Sequence, residues 1–320
     1  MRNYKILSIL LFCNVLLIAQ DINNLRVKAE QGDCQAQNEY AKCFQLGNGV
    51  PVNEKAAFNW WLKSAEQGCW KSQANVALCY YNGYGVEKNL NKVFYWNKKA
   101  SENQQANPNI FFELAQCYSN GWGTQINMIE ANNCYKKAAI FGNNKAQYCL
   151  ANNYAEGKGI VKDNTQALYW YKQAASQGDS EANLQIALAY YTGYLGLTKD
   201  VEQAKYWFIK SAELNNSDSQ VSLGFLYSEQ KNIERAIYWL LKAANNKNVD
   251  AYLLLGKLYL EDSPYQDFSE GIAFYKLARL KCNMELAKQA DSILKLTEEY
   301  IWRVYGLTIE EFEKSGKKFR

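Results

Sequence analysis

The chain has 320 residues, of which 48% are hydrophobic, and contains only 3 prolines and 19 glycines. This composition supplies enough apolar side chains for a substantial core and excludes a collagen-like or loop-rich chain. Lys and Arg number 36 against 32 Asp and Glu, with the two signs interspersed, so the net charge of +4 gives no reason to expect a nucleic-acid partner.

Residues 1–19 have the features of a secretory signal. Arg2 and Lys5 precede an apolar run from Ile6 to Ile18, and Ala19 supplies a small residue for cleavage. The run is too short and too often interrupted for a membrane span. We therefore expect an exported protein, periplasmic or secreted, with no integral membrane span after cleavage. An uncleaved N-terminal anchor is the alternative.

The clearest pattern along the rest of the chain is a sevenfold repeat. An aromatic residue, replaced once by cysteine, recurs at separations of 32 to 38 residues. Seven residues before each of these positions stands Asn or Asp, which are preferred caps of helix N-termini. Each cap predicts the start of a helix, here called helix B. The caps are Asn53, Asn89, Asn127, Asp163, Asp200, Asn232 and Asp267, and the aromatic positions are Trp60, Trp96, Cys134, Trp170, Trp207, Trp239 and Phe274.

Four of the caps are followed three residues later by Glu or Gln, which predicts a capping box. In such a box the later side chain reaches back to the backbone N–H of the cap. These residues are Glu130, Gln166, Gln203 and Glu270.

A second aromatic series lies upstream and predicts a preceding helix, here called helix A. Four residues before each aromatic is a large side chain, which is helical spacing for one buried face. Three residues before it is Ala or Gly, which allows paired helices to approach closely. The aromatics are Phe44, Tyr80, Tyr118, Tyr154, Tyr190, Tyr227 and Tyr259. The large residues are Tyr40, Val76, Leu114, Leu150, Ile186, Leu223 and Leu255.

Five repeats carry a glycine pair between the two helices. The first glycine is expected to end helix A in the left-handed conformation, and the second to let the chain reverse toward helix B. In the sixth repeat Tyr227 is only five residues from Asn232, which predicts a tighter connection. The pairs are Gly47/Gly49, Gly83/Gly85, Gly121/Gly123, Gly157/Gly159 and Gly193/Gly196.

Eight cysteines follow the signal, and in an exported protein an even number permits disulfides. Cys43, Cys79 and Cys117 occupy the same place in three successive repeats. Packed helices lie about 8–10 Å apart, whereas a disulfide tolerates a Cα separation of at most about 7 Å. We expect these three cysteines to be buried fillers and predict at most two bridges in the chain.

These units together resemble the Sel1-like repeat family, which is related to the tetratricopeptide repeats. Residues 146–178, AQYCLANNYAEGKGIVKDNTQALYWYKQAASQG, match the family pattern closely, and residues 72–100 match it well. The resemblance implies an all-α, right-handed α-solenoid of about seven helix-turn-helix repeats with a period of about 36 residues. We expect a signal peptide at 1–19, an N-terminal half-repeat cap at 20–33, seven repeats over 34–282, and C-terminal capping helices with a basic tail over 283–320.

The resemblance implies a non-catalytic scaffold that binds proteins on a concave face or along a loop edge. A cysteine-rich secreted branch is described as penicillin-binding, with bridges joining helix B to the next helix A. This chain has Ala65 and Gln37 at examples of those positions, so neither the bridges nor the activity is carried over.

Tyr84, Trp122 and Tyr194 are the candidate partner-binding residues. They lie in corresponding inter-helix loops, and aromatic residues are favoured interface anchors. The alternative is that they only pack on neighbouring loops.

An envelope enzyme or binding protein acting on cell-wall peptide or β-lactam is the alternative function. The chain has no histidine, which excludes Ser-His-Asp and Cys-His arrangements within it. It also lacks the set of lactamase motifs that begins with Ser-x-x-Lys. We therefore predict no catalytic residue, no cofactor and no metal.

Overall fold

The structure is a computed structural model that describes residues 20–103, 107–261, 266–281, 284–305 and 308–315. Within these ranges every regular element is an α-helix. The chain forms two compact units, one ending at Ala167 and the other beginning at Leu168. The predicted signal segment, residues 1–19, lies outside the described residues.

In each unit the helices pack against their neighbours along the chain, which is the arrangement of an α-solenoid. Helices A carry even numbers from α2 to α14, and helices B carry odd numbers from α3 to α15. The predicted superhelix handedness stays a prediction. The first unit contains α1 (20–30), α2 (Cys34–Leu46), α3 (Glu54–Glu66), α4 (Trp70–Asn82), α5 (Leu90–Ser101), α6 (Pro108–Asn120), α7 (Met128–Ile140) and α8 (Asn144–Glu156); the division between the units falls within α9 (Asn164–Ser176). The second contains α10 (Ser180–Thr192), α11 (Val201–Glu213), α12 (Ser217–Glu229), α13 (Ile233–Asn245), α14 (Val249–Leu260), α15 (Phe268–Lys281), α16 (Met284–Tyr305) and α17 (Ile309–Ser315).

Two hydrogen bonds recur at the start of every helix B. The cap side chain accepts from the backbone N–H three residues later, at 2.9–3.2 Å, which confirms all seven predicted caps. The cap's own backbone N–H donates to the carbonyl oxygen of the helix A aromatic, for example from Asn89 to Tyr80 at 3.0 Å and from Asp200 to Tyr190 at 2.8 Å. This second bond takes the N–H that a capping box would use. The predicted role of Glu130 and its three counterparts is therefore wrong, because a tertiary acceptor has replaced the local one.

The predicted buried face of helix A is confirmed. All seven large residues of the pattern are at most 6% exposed. The small positions are equally necessary: a Cβ on Gly224 would lie 2.4 Å from the Leu240 side chain, and one on Gly256 would lie 2.7 Å from the Tyr275 ring. Helix pairs in both units thus pack closely through a large residue beside a small one.

A glutamine near the start of helix A bonds to the preceding helix B. Gln73 Nε2 donates to the Ala65 carbonyl at 3.2 Å, and Gln37 donates in the same way to Ala29 of α1 at 3.0 Å. Gln147 and Gln220 repeat this bond. At the positions where the cysteine-rich branch has disulfides, a hydrogen bond therefore links helix B to the next helix A. Because Gln37 bonds to α1 as Gln73 bonds to α3, α1 occupies the place of a helix B before the first full repeat.

The closing helix α16 packs against α15. Along α16 an apolar stripe is formed by Leu286, Ala290, Ile293, Tyr300 and Val304; Ala290 is buried and Ile293 is half-buried, while the other three side chains lie outside the described residues. Ile301 is fully buried and packs in a small cluster with Ile272. Of the basic tail only Lys314 lies within the described residues.

The two glycines of each pair have different roles. The first ends helix A with φ between 72° and 79° in all five repeats, as predicted. At Gly85, Gly123 and Gly159 the second also allows a close approach to the preceding repeat. A Cβ on Gly85 would lie 2.2 Å from the Glu54 backbone oxygen, and one on Gly123 would lie 2.2 Å from that of Leu90. In the sixth repeat Lys231 takes the left-handed conformation instead, and the predicted tight connection is confirmed.

Replacing Gly123 with alanine tests this close approach. Gly123→Ala adds a left-handed alanine, costing about 1–2 kcal/mol, and a clash with backbone, costing about 1–3 kcal/mol more. Gly142→Ala is the matched control, because Gly142 has a φ of +89° but no heavy atom within 4 Å of an added Cβ. Urea unfolding should show a clearly larger loss for Gly123→Ala. Equal losses in the two variants would contradict the contact.

Cys43, Cys79 and Cys117, which occupy the same place in three successive repeats, are not all buried as expected. Cys79 and Cys117 are buried and Cys43 is half-buried, and the thiols of these three residues form no disulfide. Burial raises the pKa of Cys79 to about 12 and the pKa values of Cys117 and Cys134 to about 11. These side chains are therefore neutral apolar fillers at physiological pH.

Stability should fall in alkaline solution as the unfolded thiols lose their protons. The unfolded thiol titrates near pH 9.0, and folded Cys117 retains its proton to about pH 11. The stability that comes from keeping this thiol protonated in the folded state is thus complete below pH 9 and is lost as the pH rises toward 11. Cys117→Ala should be less stable than the parent protein at pH 7. Between pH 9 and 11, however, its free energy of unfolding should fall by about 2 kcal/mol less than that of the parent. Urea unfolding at several pH values measures this, and parallel curves for the two proteins would contradict it.

Candidate functional site

Three positions on each helix A lie between the repeat-defining residues. They are the fifth and second residues before the helix A aromatic and the residue after it, and their spacing of three places them on one helix face. We call them the groove positions. Their occupants include Asn75, Leu78 and Tyr81 in α4, Leu188 and Tyr191 in α10, Ser222 and Phe225 in α12, and Leu254 in α14.

The first unit has a groove between α4 and α6, with α5 beneath it. Its volume is about 270 Å³. The Leu78 and Tyr81 side chains are exposed at its surface. The remaining lining includes Asn75, Val93, Asn97, Asn109, Ile110 and Glu113.

Asparagine amides give this groove a polar character. Asn75 Nδ2 donates to Asn38 Oδ1 at 3.0 Å, and Asn109 Oδ1 accepts from Asn143 Nδ2 at 2.7 Å. Each bond orients an amide, which has two donor hydrogens and an acceptor oxygen in total. Asn75 thus keeps its carbonyl oxygen, and Asn109 its NH₂ group, as hydrogen-bonding groups beside the apolar surface of Tyr81.

The second unit has a groove of about 290 Å³ between α10 and α12 that also reaches α14. Its lining is almost wholly apolar. Phe208 of α11 is buried beneath it, while Phe225 is 42% exposed at its surface. The groove is completed by Leu188, Tyr191, Val221, Ser222, Leu226 and Leu254.

The three predicted loop aromatics have different surroundings. Tyr84 is half-buried, with its ring 6.4 Å from that of Trp61 in the preceding repeat. Trp122 is also half-buried, and its ring lies 5.1 Å from that of Tyr81, so it extends the groove of the first unit. Tyr194 is 45% exposed. The role of these residues in partner binding stays a prediction.

Sequence reasoning missed the groove positions. They carry no repeated residue type: in the second unit the same place holds Leu188 and then Phe225. A signal was present, however, because residues spaced by three along helix A vary between repeats while the flanking positions do not. The loop aromatics stood out only because they resemble one another.

Stability measurements separate packing from surface roles among the loop aromatics. Tyr84→Ala removes a ring that packs on Trp61 and should lower the free energy of unfolding by about 2 kcal/mol or more. Tyr194→Ala, at an exposed ring, should change it by less than about 1 kcal/mol. Urea midpoints measure both. A larger loss for Tyr194→Ala would show that the packing is assigned to the wrong residue.

Two negative findings concern only the described part of the chain. No group of three or more Cys, Asp or Glu side chains there is arranged to hold a metal ion. No described helix is both long and apolar enough to cross a membrane.

The Sel1 repeat family model matches seven segments of the chain: residues 34–69, 70–104, 112–140, 144–179, 180–216, 217–248 and 249–280. The chain belongs to the Sel1 repeat family. The repeats of this family generally mediate protein–protein interactions, and the family's members are generally non-catalytic scaffolds. The predicted family and helical-repeat fold are thereby confirmed.

Two solved structures share this architecture. A protective antigen present in uropathogenic Escherichia coli strains, which displays the same repeat fold, is 26% identical with a TM-score of 0.78 over 90% of this chain. The match spans only 61% of the length of that antigen. A Sel1 repeat protein from Oxalobacter formigenes is 28% identical with a TM-score of 0.70, over 87% of this chain and 81% of the other. No curated protein matches the sequence.

Proposed function

We propose that this protein is an exported, non-catalytic scaffold that binds segments of partner proteins in the grooves between its helices A. The observation that carries this proposal is the groove of the second unit. Phe225, Leu188 and Tyr191 place apolar surface in an open depression, and such concave apolar surfaces are typical binding sites.

The two grooves suit different parts of a bound polypeptide. The groove of the second unit fits apolar side chains. In the first unit, Asn75 offers an acceptor and Asn109 offers donors next to Tyr81, a combination suited to the alternating N–H and C=O groups of an extended backbone. This arrangement favours protein segments over small metabolites as ligands.

Two observations support export. Arg2, Lys5 and the apolar run that ends before Ala19 are typical of a secretory signal. The structurally similar Escherichia coli protein is described as a protective antigen, and accessibility to antibodies suits an exported protein. We therefore propose that this chain is periplasmic or secreted.

Binding is tested by a single substitution in the groove. The purified protein is used to capture partners from the envelope and secreted fractions of the source cells, and the affinity for a recovered partner is measured. Phe225→Ser should weaken binding at least about tenfold, because it removes an exposed apolar anchor. Phe141→Ser is the matched control, since Phe141 is 68% exposed at the end of α7 and belongs to neither groove lining. Equal affinities for the two variants would contradict the assignment of partner binding to this groove.

The same binding assay tests the loop-edge prediction, and a hydrolysis assay tests the enzymatic alternative. Unchanged affinity in both Tyr84→Ala and Trp122→Ala would remove these residues from the interface. Hydrolysis of nitrocefin or peptidoglycan by the purified protein, lost in a point variant, would contradict the non-catalytic part of the proposal.

A further inference from the structure

The N-terminal cap of a helix A contacts the helix A of the preceding repeat. In the first unit, Asn143 caps α8 and donates from Nδ2 to Asn109, the second residue of α6, at 2.7 Å. In the second unit, Asn248 caps α14 and donates to the Oγ of Ser217, the first residue of α12, at 3.3 Å. The cap and the first turn of the preceding helix A thus meet through short side chains.

Cysteines occupy both sides of this contact between the first two repeats. Cys69 is the N-cap of α4 and Cys34 is the first residue of α2, the same two positions that Asn248 and Ser217 hold. The two thiols lie close enough to interact, because each contributes to the pKa shift of the other. Their closeness therefore agrees with a contact that the fold makes elsewhere with other residues.

Cys69 is an exception among the caps of helices A. The other six are Asp or Asn, and each accepts a hydrogen bond from the first turn of its helix. Cysteine is not a preferred cap, and the Cys69 side chain makes no capping hydrogen bond. At this position a thiol therefore replaces the capping oxygen of the other helices A and lies beside Cys34.

Both cysteines of the pair are partly exposed. Cys34 and Cys69 are half-buried, whereas Cys79, Cys117 and Cys134 are buried. Burial acts to raise the pKa of the Cys69 thiol, but polar contacts with Ser64, with the backbone and side chain of Ser72 and with Cys34 bring that pKa below its usual value overall. The thiolate is the form that attacks a disulfide, so Cys69 is the better nucleophile of the pair.

We propose that Cys34 and Cys69 form a reversible intrachain disulfide that joins the helices A of the first two repeats. The Cys69 thiolate attacks a sulfur of an oxidised disulfide donor, such as glutathione disulfide or a disulfide-bearing oxidoreductase, and expels one donor thiolate. The Cys34 thiolate then attacks the Cys69 sulfur and expels the second. The pair loses two protons and two electrons, and the donor disulfide becomes two thiols.

The bridge closes the loop from residue 34 to residue 69 and lies beside the first glutamine contacts between repeats. It replaces a non-covalent contact between the two thiols with a covalent link that removes conformations from the unfolded chain. The oxidised form should be harder to unfold at its N-terminal end. This proposal is independent of the groove assignment.

Peptide mapping after redox equilibration tests the pairing. The purified protein is equilibrated with glutathione disulfide, treated with N-ethylmaleimide and digested with trypsin without reduction. We expect peptide 29–42, AEQGDCQAQNEYAK, linked to peptide 64–71, SAEQGCWK, with a mass lower by two hydrogen atoms than the free pair. Reduced glutathione should separate them, and the midpoint of thermal unfolding should be roughly 5 °C higher in the oxidised protein.

Cys69→Asn is the decisive variant because it restores the residue type of the other caps. It should fold, yield no linked peptide, and show the same thermal midpoint under oxidising and reducing conditions. Cys43→Ser is the matched control, since it removes another half-buried cysteine of α2 and should leave the linked peptide intact. A link from Cys34 or Cys69 to any other cysteine would overturn the proposal. Full alkylation of both thiols after equilibration with excess glutathione disulfide would do the same.

Discussion

The fold depends on one hydrogen bond, which joins the backbone N–H of each helix B cap to the carbonyl oxygen of the helix A aromatic. Helices of 12 to 14 residues are marginal on their own, and this bond fixes where the second begins relative to the end of the first. It forms at 2.8–3.0 Å whether the connection carries a glycine pair, as in the repeat of Asn89, or is shortened, as between Tyr227 and Asn232. The loop sequence can therefore vary without changing the register of the two helices.

That register determines which residues are free to vary. Once the aromatic and the cap are held together, the large and small residues of helix A face helix B, as Leu223 and Gly224 do against Leu240. The groove positions remain on the outer side. The core can thus stay the same from repeat to repeat while groove residues such as Ser222 and Phe225 vary, which is how repeat proteins separate folding from recognition.

Sequence reasoning predicted the helix starts and buried faces because each follows from a local signal that recurs seven times. It failed where a tertiary contact overrides a local preference, as at Glu130, whose expected acceptor role is made unnecessary by a distant carbonyl. It also compared cysteines at equal positions of successive repeats. Cys34 and Cys69 differ by one position within their repeats, and only the stacking of α2 and α4 shows that this offset brings the thiols together.

The groove residues were harder to predict for a physical reason. Phe225 and Phe141 are both exposed phenylalanines, and sequence spacing alone does not reveal that only Phe225 borders a depression formed by three helices. The same limit applies to Tyr84 and Trp122. Their loops look alike, but Tyr84 contacts Trp61 and Trp122 contacts Tyr81, because the preceding repeats present different side chains.

The second glycine of the pair has a consequence for how the chain opens. In the first unit the loops at Gly85, Gly123 and Gly159 lie so close to the preceding helix B that an added Cβ would clash with it. Gly196 in the second unit, by contrast, has no heavy atom within 4 Å of an added Cβ. Nearest-neighbour coupling is therefore uneven along the chain. Loops of the first unit are interlocked with the repeat before them, so its helix pairs should exchange their amide hydrogens together. The pair formed by α10 and α11, which lacks this contact, is free to exchange as a smaller and more local unit.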